Sequence, residues 1–322
     1  MKDSLFQFLC CPNCGHDLHI DNVKEAEGDE IIQASLSCEG CKSPYAVSNG
    51  IPILLPHNFS NGFECDLRKR VSNNALKTSK KCISLYDMHH FRELAQLGTC
   101  KYLKTIHSER PKVMDIGIGW GIKYLPFIAN IDLWGIDFSF ESLLVAKEIY
   151  KNNNKTAPNL ICASLSSIPI KNIKYDLIWS TQVYQHIPKA EEVKASFDNV
   201  IKNLLNSPGT FIVDNFNYNY VRFSPKNMIK SLFKHAPIKQ ECKQQDSLYL
   251  KYYLDKDFEL LMGNSDKNIK YYITFTENLF HPEYNLIPKT KMLAKFDDLL
   301  SRSPFAGYLG RQITLIVNKL II

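Results

Sequence analysis

The sequence predicts an α/β protein, a doubly wound parallel sheet preceded by a small β-rich module. Three observations carry this. A strand-like run, Lys112-Val113-Met114-Asp115-Ile116, leads straight into Gly117-Ile118-Gly119-Trp120-Gly121 and then into an apolar pattern of helical spacing to Ala129. Strand, glycine loop and helix in that order form the first βα turn of such a sheet. Strand and helix signals then alternate to about residue 217, the pattern of βαβ units. Ahead of them stand two Cys-x-x-Cys pairs, Cys11 with Cys14 and Cys38 with Cys41.

The chain has 322 residues, enough for one large domain and an appendage. Hydrophobic residues make up 45% and charged residues 22%, a soluble globular profile that excludes a disordered chain. Lys and Arg number 39 against 33 Asp and Glu, a net charge of +6. The surplus is mild and spread over 68–81, 101–112 and 226–256, so a solvated surface is the simpler expectation than a dedicated nucleic-acid groove. No apolar run is long enough to span a bilayer, and Met1 to Cys14 lacks a secretory pattern. A cytoplasmic location is expected. In a reducing compartment the ten cysteines point to metal ligands or free thiols.

Cys11-Pro12-Asn13-Cys14 and Cys38-Glu39-Gly40-Cys41 have the spacing of a structural Zn²⁺ ribbon. A two-residue spacer lets both thiolates of one tight turn point at one ion, and two such knuckles close a tetrahedron. With no position open to water, the site would be structural. Cys10 adjoins the first knuckle but lacks the spacing to Cys14. Ile31 to Ser37 alternates as a strand, Asp21 to Asp29 is a polar hairpin or loop, and Asn49-Gly50 is a hairpin turn between two apolar strands. So small a module cannot fold on its own core, so the metal would supply much of its folding free energy. The stretch, with its Asn-Gly-Ile-Pro-Ile-Leu ending, resembles the zinc-ribbon domain known as an activating subunit of tRNA, rRNA and protein methyltransferases, over about residues 5–57.

Three regions follow: 1–57, a zinc ribbon; 58–108, a helical linker and lid; and 109–322, the large domain with an insertion at about 218–300. In the connector, Ile83, Tyr86, His90, Leu94 and Leu97 recur at helical spacing, and Tyr86, His89 and His90 are candidate lid residues beside an ordinary packing role.

In the large domain the register of the glycines discriminates. A dinucleotide fingerprint needs glycine at 122, which is Ile122. Here glycines stand at 117, 119 and 121, Asp115 lies two residues before the first, and Asp137 ends the second strand. This resembles motif I of class I S-adenosylmethionine-dependent methyltransferases. Tyr175 to Ser180 resembles that family's fourth strand, and Thr181-Gln182-Val183-Tyr184-Gln185-His186-Ile187-Pro188 the segment after it in small-molecule members. Ser207-Pro208-Gly209 matches the turn before its fifth strand, and Gln312 to Val317 its closing antiparallel strand.

The resemblance implies a Rossmann-like, seven-stranded sheet and S-adenosyl-L-methionine as cofactor. Asp115 would help hold the methionine end. Gly117 and Gly119 would let the loop wrap it, with Ile118 and Gly121 lining it. Asp137 would hold the ribose, and Phe138 would flank the adenine. Ser164 stands where the family usually places an acid toward the adenine, followed by Leu165. Ser180 and Gln182 would line the same site.

His186 is the candidate base for a hydroxyl acceptor, or else a structural residue that orients the loop; Gln182 and Tyr184 could shape the same wall. No Asn-Pro-Pro-Tyr-like tetrapeptide or Pro-Cys pair follows strand four, which disfavours base amino methylation and covalent chemistry at pyrimidine C5. The insertion is rich in aromatics, among them Tyr218, Tyr220, Phe223, Tyr249, Tyr252, Tyr253, Tyr271, Tyr272, Phe275, Phe280 and Tyr284, with His281 and Glu283 as further acid–base groups. These point to a cap over a small-molecule or glycan-type acceptor methylated at oxygen or nitrogen. The alternatives are an RNA base methyltransferase that reads nucleic acid through the ribbon, and a non-catalytic scaffold in which the ribbon binds a protein partner.

Overall fold

The computed structural model describes residues 1–59, 72–73, 103, 106, 108–125, 127–219, 241–243, 249–251, 253–262, 267–272, 299–304, 306–309 and 312–319. The expected connector helix, with Tyr86, His89 and His90, lies outside the described residues, as do most of the insertion's aromatics and His281 and Glu283.

The N-terminal module contributes β1 (Leu18–Glu27), β2 (Glu30–Cys38), β3 (Pro44–Ser48) and β4 (Ile51–Leu54) as an antiparallel meander. The polar stretch expected as a hairpin or loop is mostly strand: β1 tolerates it because it pairs only with β2 and is largely solvent-facing. Asn49 and Gly50 both have positive φ, 51° and 72°, the geometry of the two-residue turn their sequence signals.

The large domain supplies β5 (Lys112–Ile116), β6 (Asp132–Asp137), α1 (Phe140–Asn152), β7 (Asn159–Ala163), β8 (Tyr175–Thr181), α2 (Ala190–Asn199) and β9 (Leu205–Phe216). β10 (Glu241–Lys243) and β11 (Tyr249–Lys251) pair as a separate ribbon. α3 (Asp255–Met262), β12 (Lys267–Tyr272), α4 (Ala306–Leu309) and β13 (Gln312–Lys319) complete the described elements. β7, β6, β5, β8 and β9 are parallel neighbours, and β13 inserts antiparallel between β9 and β12. This is the expected seven-stranded sheet, with the chain reversing its order beside β5, where open α/β sheets bind ligands. The helix expected after the glycine loop is instead two 3₁₀ turns, Ile122–Tyr124 and Ile128–Asn130. Pro126, between them in sequence, has no N–H to continue a helix.

The ribbon and the sheet form one structure. β4 pairs in parallel with β7 (Ile53 with Cys162, Leu54 with Ala163), so the meander extends the sheet to eleven strands. Their apolar faces join one core: Leu9, Leu18, Leu36, Val47 and Leu54 cluster with Met114, Trp134, Ile161, Ala163 and Ile170. Phe8 meets Trp134 edge-on at 6.0 Å. Lys147 of α1 bridges to Glu30 at 3.1 Å and donates to the Asn49 carbonyl at 2.7 Å. A cavity of about 100 Å³ lies along this junction, lined by Leu5, Glu30, Pro52, Trp134 and Lys147 among others. No described helix is long and apolar enough to cross a membrane.

Candidate donor site and cysteine centre

The glycine loop joins β5 to the first 3₁₀ turn, and its shape depends on residues that lack side chains. Gly117, Gly119 and Gly121 have φ of 76°, 53° and 64°, a region costly for other residues. At Gly117 a Cβ would also run into Val183 from the segment after β8. Ile118 is buried and packs over Gly135 of β6, so it anchors the loop.

Asp137 ends β6 and organises what surrounds it. Its Oδ2 accepts from Gly119 N and its Oδ1 from Ser139 N, both at 2.9 Å. The carboxylate thus ties the glycine loop to the start of α1, where Ser139 caps the helix by accepting from Ser142 N. Asp137 and Phe138 are half-buried, and Phe59 stands 6.0 Å from Phe138, ring to ring. Ser164 and Leu165 follow β7 on the neighbouring strand. The Ser164 hydroxyl shares a 2.9 Å hydrogen bond with Ser166 and caps the short turn Leu165–Ser167. The C-terminal ends of β5, β6 and β7 therefore bring together the glycine loop, Asp137, Phe138, Ser164 and Leu165.

Asp115 and Ser180 sit deeper. Ser180 is fully buried and donates to the Ile116 carbonyl at 3.0 Å, so its hydroxyl ties β8 to β5. Asp115 is 2% exposed and its Oδ2 lies 3.1 Å from Lys123 Nζ. Burial pushes its carboxyl above the usual range, against the pull of Lys123. Lys123 also donates to Thr181 Oγ1 at 3.2 Å and lies 4.9 Å from the centres of the Trp179 and Tyr124 rings. Asp214 of β9 completes the network. It accepts from Trp179 Nε1 at 2.6 Å and from the Thr314 and Thr181 hydroxyls, and burial raises it too. Lys123, Thr181, Trp179 and Asp214 were not expected at the site. A basic residue six positions after Gly117 was the available signal.

After β8, Gln182 takes a left-handed φ of 58° while its N–H donates to the Asp214 carbonyl at 2.7 Å. A non-glycine residue held there marks a constrained turn. The 3₁₀ turn Tyr184–His186 follows. Tyr184 and Gln185 are buried, whereas His186 is half-buried with its Nε2 3.2 Å from Gln185 Nε2. Tyr253, from the insertion, donates to the Tyr184 carbonyl at 3.3 Å.

In the ribbon, the Sγ atoms of Cys11, Cys14, Cys38 and Cys41 all lie within 4.8 Å of one another, with Cys11–Cys41 at 3.5 Å and Cys14–Cys38 at 3.4 Å. Tetrahedral Zn²⁺ with bonds of about 2.3 Å places its sulfurs about 3.8 Å apart, so the cluster fits such an ion. Cys41 N donates to Cys38 Sγ at 3.4 Å, the knuckle geometry. The Ser43 hydroxyl, 2.9 Å away, lowers the Cys41 thiol to about 6. Burial pushes Cys10 up to about 11, and it stands outside the cluster. The first knuckle also abuts the loop after β7. Cys10 N donates to the Pro169 carbonyl at 3.1 Å, Lys171 N to the Phe8 carbonyl at 2.9 Å, and Ser167 Oγ to the Pro12 carbonyl.

Sheet order, glycine loop and Asp137 together form a ligand-binding crevice at the carboxyl ends of an open α/β sheet. Residues 113–206 match the family described as "Methyltransferase domain". No curated protein matches the chain. Among solved structures, an S-adenosylmethionine-dependent methyltransferase from Clostridium acetobutylicum is 16% identical, with 76% of this chain and 100% of that one covered at a TM-score of 0.49. A complex containing the Haloferax volcanii Trm112 methyltransferase activator is 11% identical, covering 82% and 100% at 0.47. An S-adenosylmethionine-dependent methyltransferase from Methanosarcina mazei is 15% identical, covering 68% and 97% at 0.46. With TM-scores below 0.5, these likenesses carry no argument for this chain.

Proposed function

We propose that the protein transfers a methyl group from S-adenosyl-L-methionine to an oxygen or nitrogen of a small-molecule or glycan-type acceptor, with the four cysteines holding a structural Zn²⁺. The donor's sulfonium supplies the methyl in an in-line displacement, and the chain's task is alignment and proton handling. Asp137 offers its remaining lone pairs to the ribose hydroxyls while holding the glycine loop. Phe138 lies along the adenine, and the Ser164–Leu165 turn closes that end. His186 faces the acceptor side as the group able to take a proton. The four thiolates leave no open ligand position, so the metal stiffens the ribbon.

The observation that carries the acceptor class is the hydrogen bond from Tyr253 to the Tyr184 carbonyl. It ties one aromatic of the insertion to the turn that carries His186, which favours an enclosed acceptor pocket over an open groove. Incubating purified enzyme with methyl-tritiated S-adenosylmethionine and fractionated cell extract tests it. Label is expected in the low-mass or glycan fraction. Label confined to RNA would replace this reading with nucleic-acid methylation, and label in no fraction would favour the scaffold alternative.

A further inference from the structure

We propose that Lys123 receives the carboxylate at the amino-acid end of the donor, with Asp115 held behind it as counter-ion. The inference rests on the donor reading above and assigns that end of the site. Three features carry it. The first is depth: the Asp115 side chain is 3% exposed and the Lys123 side chain 15%. A ligand entering at the C-terminal ends of β5 and β8 therefore meets the ammonium before the carboxyl.

The second is hydrogen-bond capacity. An ammonium has three donors, and Lys123 directs two at Asp115 and Thr181. Among the described residues, one remains for a ligand. The Asp115 carboxyl and the Tyr124 hydroxyl are both buried, with Asp115 2% and Tyr124 0% exposed.

The third is charge. The α-carboxylate is the one anion the donor has, and a charged hydrogen-bond donor is its complement. The Lys123 nitrogen lies 4.9 Å from the centres of the Trp179 and Tyr124 rings, which fixes where the ammonium sits.

Calorimetric titration of the full chain with two probes tests the assignment: S-adenosylhomocysteine, which has the amino-acid end, and 5′-methylthioadenosine, which lacks it. In Lys123→Met, affinity for S-adenosylhomocysteine is expected to fall about tenfold or more while that for methylthioadenosine stays within about twofold. Because Lys123→Met leaves Asp115 buried without its partner, the double variant D115N/K123M serves as the second test and should show the same split. Equal losses for both probes, or S-adenosylhomocysteine affinity within about twofold of wild type, would overturn the assignment. Wild type that binds neither probe would instead overturn the methyltransferase reading on which it stands.

Discussion

Asp137→Ala removes the carboxylate that both holds the glycine loop and caps the approach to α1. Two backbone N–H groups, those of Gly119 and Ser139, lose a charged acceptor at 2.9 Å. Hydrogen bonds to charged groups contribute about 1.5–3 kcal/mol each when buried. At this half-buried position water recovers part of that, so the folded chain should lose about 1–2 kcal/mol and a few degrees in Tm. Donor binding should suffer more, because the variant lacks both the ribose acceptor and the preformed loop. About 2–3 kcal/mol corresponds to a Kd raised roughly 30- to 150-fold. The assay is calorimetric titration with S-adenosylhomocysteine alongside a thermal melt. Ser139→Ala is the control: it removes the cap on Ser142 N and the hydrogen bond from Ser142 Oγ, costs about 1 kcal/mol of stability, and should leave Kd unchanged. If Asp137→Ala binds within about threefold of wild type, the carboxylate does not organise the donor site.

Further expectations concern the metal, the proton and the junction. Cys38→Ser, or chelation, should lower unfolding free energy by several kcal/mol or more, on the order of a structural metal's contribution, and lower Tm with it. It should do so in one transition, since ribbon and sheet share a core; two separate calorimetric transitions would contradict that unity. His186→Gln should cut methyl incorporation about 100-fold or more and leave S-adenosylhomocysteine affinity intact, and full activity would return His186 to an orienting role. Burial alone would raise the Glu30 carboxyl, but Lys147 and the Met1 ammonium outweigh it and hold it below its ordinary value. A depressed carboxyl stabilises above its unfolded pKa of about 4.3 and loses that contribution as pH falls through the lower folded value. The side chain is 37% exposed, so the term is about 1 kcal/mol or less. Urea melts of wild type and Glu30→Gln should therefore differ near neutrality and converge in acid; a gap that widens in acid would refute the sign.

Much of the candidate donor site's geometry was legible because it depends on local backbone needs. Glycines at 117, 119 and 121 are required by positive φ, and Asp137 follows from the end of a strand, so both can be inferred from short windows. The two knuckles are equally local. Lys123 escaped because its importance comes from Asp115, Thr181 and Trp179, which approach it from two other strands. The helix expected to Ala129 failed at Pro126, where an apolar pattern outweighed the missing N–H. Ser180, expected to line the cofactor, has its hydroxyl committed to the Ile116 carbonyl; alternation along a strand indicates a face, but not how deep the face lies.

Sequence alone therefore determined the α/β class, the strand order's starting loop, the carboxylate at the end of β6 and the two cysteine pairs that cluster, because each is set by spacing along the chain. Tertiary structure decided that the ribbon is a continuation of the sheet. The β4–β7 pairing joins residues over a hundred positions apart, Ile53 with Cys162, and no local pattern encodes a partner at that distance. It also decided that Asp115 lies behind a lysine, since burial and ion pairing arise only when β5, β8 and β9 stand side by side.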